Sequence, residues 1–186
     1  MRSRFSVSCA GAILVLFASG TMLAADGLAP LPFRNLRTFD PEIYSTITAC
    51  YSHSLTCHRV IDEIESSSTI VYLLRGRCRS LQGGSCVRFA AASPVARWLH
   101  VVLDSNHRGQ VLLSSTAHEL QHVLEVVRAP QVVDVASFRS LYQRIGFFIH
   151  GSGMREEWET EEAQRIASVV SKEVKRSQRA ALLALK

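Results

Sequence analysis

The stretch "STAHELQHVLEV", residues 115–126, contains His118 and His122 four positions apart, with Glu119 directly after the first histidine. It lies within residues 110–127, which are predicted to form an α-helix that ends before a proline. Side chains four residues apart stack on one face of a helix, so both imidazoles can reach one metal ion. The pattern therefore suggests a metal site, and its rival is a polar helix face exposed to solvent.

The apolar residues of this helix lie on the side opposite the histidines. With His118 at zero on a helical wheel, His122 falls near about 40° and Glu119 near about 100°. Five apolar residues cluster between about 140° and 240°: Leu113, Leu120, Val123, Leu124 and Val127. The histidines are therefore expected to face away from the apolar core, which favours the metal site over core histidines.

The chemistry of zinc explains the residue types in the pattern. Neutral imidazole is a good zinc ligand, and catalytic zinc sites use three protein ligands and keep one position for water. Zinc lowers the pKa of its bound water, and Glu119 stands where a carboxylate can take the proton from that water. His118 and His122 are two ligands, so the hypothesis requires a third.

The third ligand is expected from a later segment of the chain. Glu125 shares the histidine face but lies two turns from His118, roughly 10 Å along the axis, so it is predicted to lie behind the ligands or at the surface. The pattern HExxHxxGxxH is absent, because Glu125 stands at its glycine position. The glutamate-rich segment "MREEWETEEAQRIASVV" begins a predicted helix from about residue 155.

Glu159 is the preferred third ligand within that segment. On the wheel of the predicted helix it continues an inward apolar stripe formed by Ala163, Ile166, Val170 and Val174. Glu156 is the second choice and Glu162 lies at the edge of the stripe. A carboxylate on an apolar stripe needs a partner, which is either the metal or an arginine such as Arg139 or Arg144.

On these residues the chain resembles a gluzincin-type zincin, the HExxH class of zinc metallopeptidases. "HELQH" supplies the helix, and "ETEEA" at 159–163 resembles the third-ligand helix; the resemblance covers about residues 104–170. The chain is also similar to small uncharacterised exported bacterial proteins with an HELQH helix after a short sheet.

The resemblance implies a zinc peptidase with a zincin-like fold. In it His118, His122 and Glu159 would bind Zn²⁺, and Glu119 would be the general base and then the acid. The strand at 97–103 would form the sheet edge that binds an extended peptide. The resemblance also implies a residue that hydrogen-bonds the oxyanion, for which the candidates are Tyr142 and His150.

The predicted fold class is α+β, a small zincin-like domain with a short antiparallel three-stranded sheet, an N-terminal helix and three C-terminal helices. The N-terminal helix spans about residues 42–66, with a break suggested near Ser52-His53-Ser54. The remaining predicted elements are the strands Thr69–Arg75, Cys86–Ala92 and Arg97–Leu103, and helices at 110–127, 132–145 and from about 155.

Residues 1–25 have the pattern of a secretory signal peptide: two arginines, an apolar run, then small residues up to Ala24-Ala25. An uncleaved anchor is the alternative. Residues 26–186 are then a single domain, secreted or periplasmic, with no stable membrane span after signal cleavage. Cleavage removes two basic residues and no acidic ones, which lowers the net charge from +5 to +3. This small, scattered excess gives no indication of nucleic acid binding.

Four cysteines follow the predicted signal peptide: Cys50, Cys57, Cys78 and Cys86. An even number in an exported chain indicates two disulfides. Three connectivities are possible, and the pairs Cys50–Cys57 and Cys78–Cys86 would each close a short loop. A four-cysteine zinc site is disfavoured, because the spacings lack a CxxC pair.

These observations favour an exported zinc-dependent hydrolase, most simply a metallopeptidase that acts on a peptide or protein and uses Glu119 to activate a zinc-bound water. The alternative is a non-catalytic, zinc-stabilised binding module of the cell envelope. A third hypothesis is a disulfide-bonded domain without metal. The sequence leaves the cleavage preference and the oligomeric state open.

Overall fold

The computed structural model describes residues 32–78, 84–150 and 157–184, without the side chain of His150. The predicted signal peptide, residues 1–25, and the alternative ligand Glu156 lie outside the described residues. In chain order the elements are β1 (Leu36–Arg37), α1 (Pro41–His53), α2 (Leu55–Glu65), β2 (Thr69–Gly76), β3 (Cys86–Ala92), β4 (Arg97–Asp104), α3 (Gly109–Val127), α4 (Val135–Ile145), β5 (Phe147–His150), β6 (Glu157–Glu159) and α5 (Glu161–Ala184). The chain is thus a mixture of helices and strands, as predicted.

The main sheet differs from the predicted three-stranded antiparallel meander. It has four strands in the order β1-β2-β4-β3. The strands β1, β2 and β4 are parallel, and only β3 is antiparallel to its neighbour β4. The three longer strands lie within one residue of their predicted bounds, but β4 inserts between β2 and β3, so its predicted position at the edge is wrong. The strand β3 forms that edge instead.

The strand order follows from burial on the face of the sheet that joins the core. In β2 the alternate residues Thr69, Val71 and Leu73 are fully buried, and in β4 Leu99 and Val101 are their buried neighbours in the register. Two strands with such apolar faces are stabilised most at the centre of a sheet. None of the residues of β3 is buried, and this strand takes the edge.

The predicted N-terminal helix is two helices, because the helix is interrupted at Ser54, where the sequence suggested a break. Ser54 ends α1 in an extended conformation, and its side chain accepts a hydrogen bond from the backbone N–H of Cys57 at the start of α2. The Cys50–Cys57 disulfide joins the two helices across this break. The second disulfide is Cys78–Cys86, so both pairs are the short-loop ones.

The central helix α3 is enclosed by other elements. Its apolar side belongs to the core with β2, β4, α1 and α2. Arg97 of β4 caps its C-terminal end. The guanidinium of Arg97 donates hydrogen bonds to the carbonyls of Val126, Val127 and Ala129. The carbonyls of Val126 and Ala129 also accept backbone N–H groups from Ala129 and Val132. Arg97 adds donors and a positive charge at this helix C-terminus, so it stabilises the end of α3.

The C-terminal part also differs from the prediction. The helix α4 begins at Val135, three residues later than predicted, with Asp134 as its capping residue, and it ends at Ile145 before Gly146, as predicted. A two-stranded hairpin, β5–β6, then precedes α5, which begins at Glu161 rather than near residue 155. Glu159 therefore lies at the end of a strand and not on a helix. None of the helices in the described part of the chain has the length and apolar character that a membrane crossing requires.

Candidate metal centre

The polar face of α3 is covered in the folded chain. Glu119 is 4% exposed and His122 is 7% exposed, although neither belongs to the apolar side of the helix. The apolar side faces the core, as the wheel predicted, but the side that carries the histidines is covered by other parts of the chain. The start of α5 and the helix α4 pack over this face, so the polar groups are held in a protected environment.

Three side chains come together on this face: His118 and His122 from α3, and Glu159 from the end of β6. The Nε2 atoms of the two histidines are 3.2 Å apart. Glu159 places Oε2 3.1 Å from Nε2 of His118 and Oε1 3.2 Å from Nε2 of His122. The three residues form a group that could hold a metal ion.

The ligand types and spacing of this group are compatible with a metal ion such as zinc. Zinc bonds to imidazole nitrogen and carboxylate oxygen are about 2.0 to 2.2 Å long, so neighbouring ligand atoms of a tetrahedral site lie about 3.3 Å apart. The separations between the three side chains are 3.1 to 3.2 Å. Two imidazoles and one carboxylate are also a ligand set of catalytic zinc sites, which leave the fourth position open.

Hydrogen bonds between the histidines and the glutamates shift the pKa values of His122 and Glu159 in opposite directions. Burial alone would lower the pKa of His122, but hydrogen bonds to Glu125 and Glu159 outweigh burial and raise that pKa well above its ordinary value. Burial would raise the pKa of Glu159, but hydrogen bonds from His118 and His122 outweigh it and lower that pKa. Metal binding would therefore have to displace a proton from His122.

Glu125 contacts the group from behind, as predicted for a residue that is not itself a ligand. Its Oε2 lies 2.8 Å from Nδ1 of His122, on the far side of the imidazole from the metal-facing nitrogen. Its Oε1 accepts a hydrogen bond of 2.7 Å from the hydroxyl of Thr160. Glu125 therefore contacts both segments that supply ligand atoms.

Glu119 lies beside a cleft that opens at the group. The cleft has a volume of about 240 Å³ and is lined by Ser85, Ser114, Ser115, His118, Glu119 and Ala167. Burial raises the pKa of the Glu119 carboxyl, while the nearby histidines act in the opposite direction. A buried carboxylate with a raised pKa at a cleft wall is a suitable proton acceptor.

Glu159 reaches the histidines through the close packing of its backbone. A side chain on Gly146, at the end of α4, would place its Cβ 2.6 Å from the carbonyl oxygen of Glu159, so only glycine fits there without a shift. The next residue, Thr160, donates its backbone N–H to Oε1 of Glu159 at 2.7 Å. Both contacts fix the carboxylate, and a helical wheel reveals neither of them.

Thr160 is a functional residue that the sequence-based prediction missed. Its hydroxyl accepts a hydrogen bond from the backbone N–H of Ala163, so it caps the first turn of α5. A threonine followed by Glu161 and Glu162 has the pattern of a helix N-terminus. That signal would have started the helix at residue 161 and left Glu159 before it.

The other candidates from the sequence occupy different positions. The Tyr142 hydroxyl donates to the backbone carbonyl of His122 at 2.9 Å, so it supports α3 and does not face the cleft group. Glu162 pairs with Arg165 on the surface of α5 and is not among the three grouped side chains. The side chain of His150 and the residue Glu156 lie outside what the structure describes.

Comparisons of this chain with protein-family models, with curated proteins and with solved structures find no match.

Proposed function

We propose that this protein is an exported zinc-dependent hydrolase, most simply a metallopeptidase. The observation that carries the proposal is the group of His118, His122 and Glu159, whose ligand atoms, one from each residue, all lie within 4.8 Å of one another. Beside that set, Glu119 lines an open cleft. The disulfides Cys50–Cys57 and Cys78–Cys86 support export, because such bonds persist in oxidising compartments.

The proposal assigns two roles to these residues: three of them hold the metal ion, and Glu119 transfers protons. His118, His122 and Glu159 hold the ion. When bound, Zn²⁺ supplies a Lewis acid that polarises a carbonyl and makes water a stronger acid. Glu119 accepts a proton from the attacking water and returns it to the leaving amine, a role that suits a carboxyl whose pKa burial has raised.

The substrate of the proposed enzyme is an extended peptide. Ser85 lines the cleft and directly precedes β3, which forms the edge of the main sheet. An edge strand can pair its backbone with an extended chain, and this pairing would lead a peptide along β3 towards Glu119. The strand predicted for this role, 97–103, lies inside the sheet as part of β4, so Cys86–Ala92 takes its place.

The test is the Glu119→Gln variant of untagged protein, compared with wild type. We expect one zinc per chain in both, and at least about a 100-fold lower kcat/KM for a quenched-peptide library in the variant, because proton transfer by a side chain contributes about that much. Glu162→Gln is the matched control and keeps its activity, since Glu162 pairs with Arg165 on the surface. Unchanged cleavage by Glu119→Gln would contradict the proposal.

The second candidate is a non-catalytic binding module in which zinc has only a structural role. It is favoured by the position of the group, which joins α3 to the end of β6 just before α5. In that case metal removal would lower the stability, and the wild type would cut no member of the library. The presence of Glu119 at the cleft favours the hydrolase, because a structural zinc site needs no base there.

A further inference from the structure

The carboxylate of Glu125 connects the two parts of the chain that carry the ligand atoms. Its side chain is 9% exposed, and each of its oxygens has a different partner. Oε2 lies 2.8 Å from Nδ1 of His122, and Oε1 lies 2.7 Å from the hydroxyl oxygen of Thr160. A buried carboxylate with both oxygens occupied in this way fixes the groups on either side of it.

Thr160 carries the connection onward to the third ligand and to α5. It is 4% exposed, and its hydroxyl both donates to Glu125 and accepts from the backbone N–H of Ala163 at 3.2 Å. Its own backbone N–H donates to Oε1 of Glu159. A continuous series of hydrogen bonds therefore runs from the His122 ring through Glu125 and Thr160 to the Glu159 carboxylate.

We propose that Glu125 is a positioning residue that makes the two parts of the metal site assemble as one unit. By accepting a hydrogen bond from Nδ1 of His122 it selects the tautomer whose Nε2 lone pair faces the ion. By accepting a hydrogen bond from Thr160 it holds the corner that follows Glu159. The proposal rests on the proposed metal site but not on peptide cleavage.

The Glu125→Gln variant separates this role from simple packing, because glutamine has nearly the same shape. An amide presents one acceptor and one donor group. If its oxygen accepts from Thr160, its NH₂ faces Nδ1 of His122 and favours the tautomer with the proton on Nε2. If the amide is reversed, Thr160 loses its acceptor. In either orientation one part of the site is released.

The first measurement is the affinity for Zn²⁺, obtained by competition with a chromophoric chelator. We expect Glu125→Gln and Thr160→Val each to weaken zinc binding by about 10- to 100-fold, the usual effect of removing a group that orients a ligand. Thr160→Ser keeps the hydroxyl and restores binding to near the wild-type value. Glu162→Gln is the matched charge control and leaves the affinity unchanged.

The second measurement is the visible absorption of the Co²⁺-loaded protein, which reports the geometry around the ion. Its bands are expected to shift in Glu125→Gln and to stay unchanged in Glu162→Gln. Because Glu125 and Thr160 act through the same hydrogen bond, the double variant Glu125→Gln/Thr160→Val should lose less affinity than the product of the two single losses.

The outcomes of these measurements separate this inference from the proposed function. A wild type that binds metal but cleaves no peptide overturns the peptidase alone. Wild-type zinc affinity and cobalt bands in Glu125→Gln, or losses that multiply in the double variant, overturn the role of Glu125 alone. A wild-type chain that binds neither Zn²⁺ nor Co²⁺ overturns both.

Discussion

At the scale of single residues, the environment of Tyr142 decides between two roles for its hydroxyl. The side chain is 6% exposed, and its ring meets the His122 ring edge to face at a centroid distance of 5.4 Å. Burial raises the pKa of Tyr142 well above its ordinary value, so the hydroxyl stays protonated and donates to the carbonyl of His122. Tyr142 therefore supports a ligand-bearing turn and is not placed to bind an oxyanion.

We accordingly predict that Tyr142→Phe affects stability more than catalysis. Removal of the buried hydroxyl should lower the free energy of unfolding by about 1 to 2 kcal/mol, measured by urea denaturation. The kcat for peptide cleavage should remain within a few-fold of wild type. Tyr72→Phe is the matched control, because its hydroxyl bonds to Arg37 at an exposed position. A 100-fold loss of kcat without loss of stability would instead assign the oxyanion role to Tyr142.

At the scale of elements, a carboxylate on the long helix α5 binds the start of α2. Glu173 accepts hydrogen bonds from the hydroxyls of Ser54 and Thr56 and from the backbone N–H of Thr56, at the start of α2. Burial would raise the pKa of Glu173, but these hydrogen bonds outweigh burial and lower it below its ordinary value of 4.5. The charged carboxylate is therefore the form that binds α2.

The stabilisation by Glu173 is expected to depend on pH. Because its folded pKa lies below the unfolded value, its contribution is complete above about pH 4.5 and is lost as the pH falls through the folded pKa. Glu173→Gln should cost about 1 to 2 kcal/mol at pH 7. The difference from wild type should shrink below pH 4.5.

This pH dependence is measured by urea denaturation from pH 7 to pH 3. A chelator keeps wild type and variant free of metal, so that loss of metal at low pH does not contribute to the difference between them. Lys172→Gln on the exposed side of α5 is the control for a change of charge in this helix. A difference between Glu173→Gln and wild type that stays constant across this range would show that the carboxylate charge does not hold α2.

At the scale of the whole molecule, the N-terminal and C-terminal parts are held by different means. A disulfide, Cys50–Cys57, ties α1 to α2, and Cys78–Cys86 ties the segment after β2 to the start of β3. The candidate metal group instead joins α3 to the end of β6, just before α5 begins. Metal therefore should stabilise the C-terminal part of the chain selectively.

We predict that zinc removal opens the C-terminal part first. A chelator should lower the thermal midpoint, and zinc at about 100 times its Kd should restore about 2.7 kcal/mol of stability. Hydrogen exchange should increase first in β6 and at the start of α5, and least in α1 and α2. The Glu159→Gln variant serves as the control, because it lacks one ligand and should respond little to zinc. Equal exchange in all elements after chelation would contradict this prediction.

Local sequence patterns are sufficient to predict much of the fold. The bounds of β2, β3 and β4, the break at Ser54 and the end of α4 at Gly146 all depend on neighbouring residues, which propensity and capping rules describe. The relation of His118 to His122 is equally local, because the helical repeat alone places them on one face. The short-loop disulfides also agree with the close spacing of their cysteines.

The tertiary structure decided everything that depends on distant pairing. The insertion of β4 between β2 and β3 follows from burial on a shared face, which no single strand reveals. Glu159 meets the histidines, as expected, but from the end of a strand, where Gly146 permits close approach and Thr160 begins α5. The sequence alone determined the relative positions of two candidate ligands through the repeat of one helix, whereas the position of the third depends on how separate elements pack.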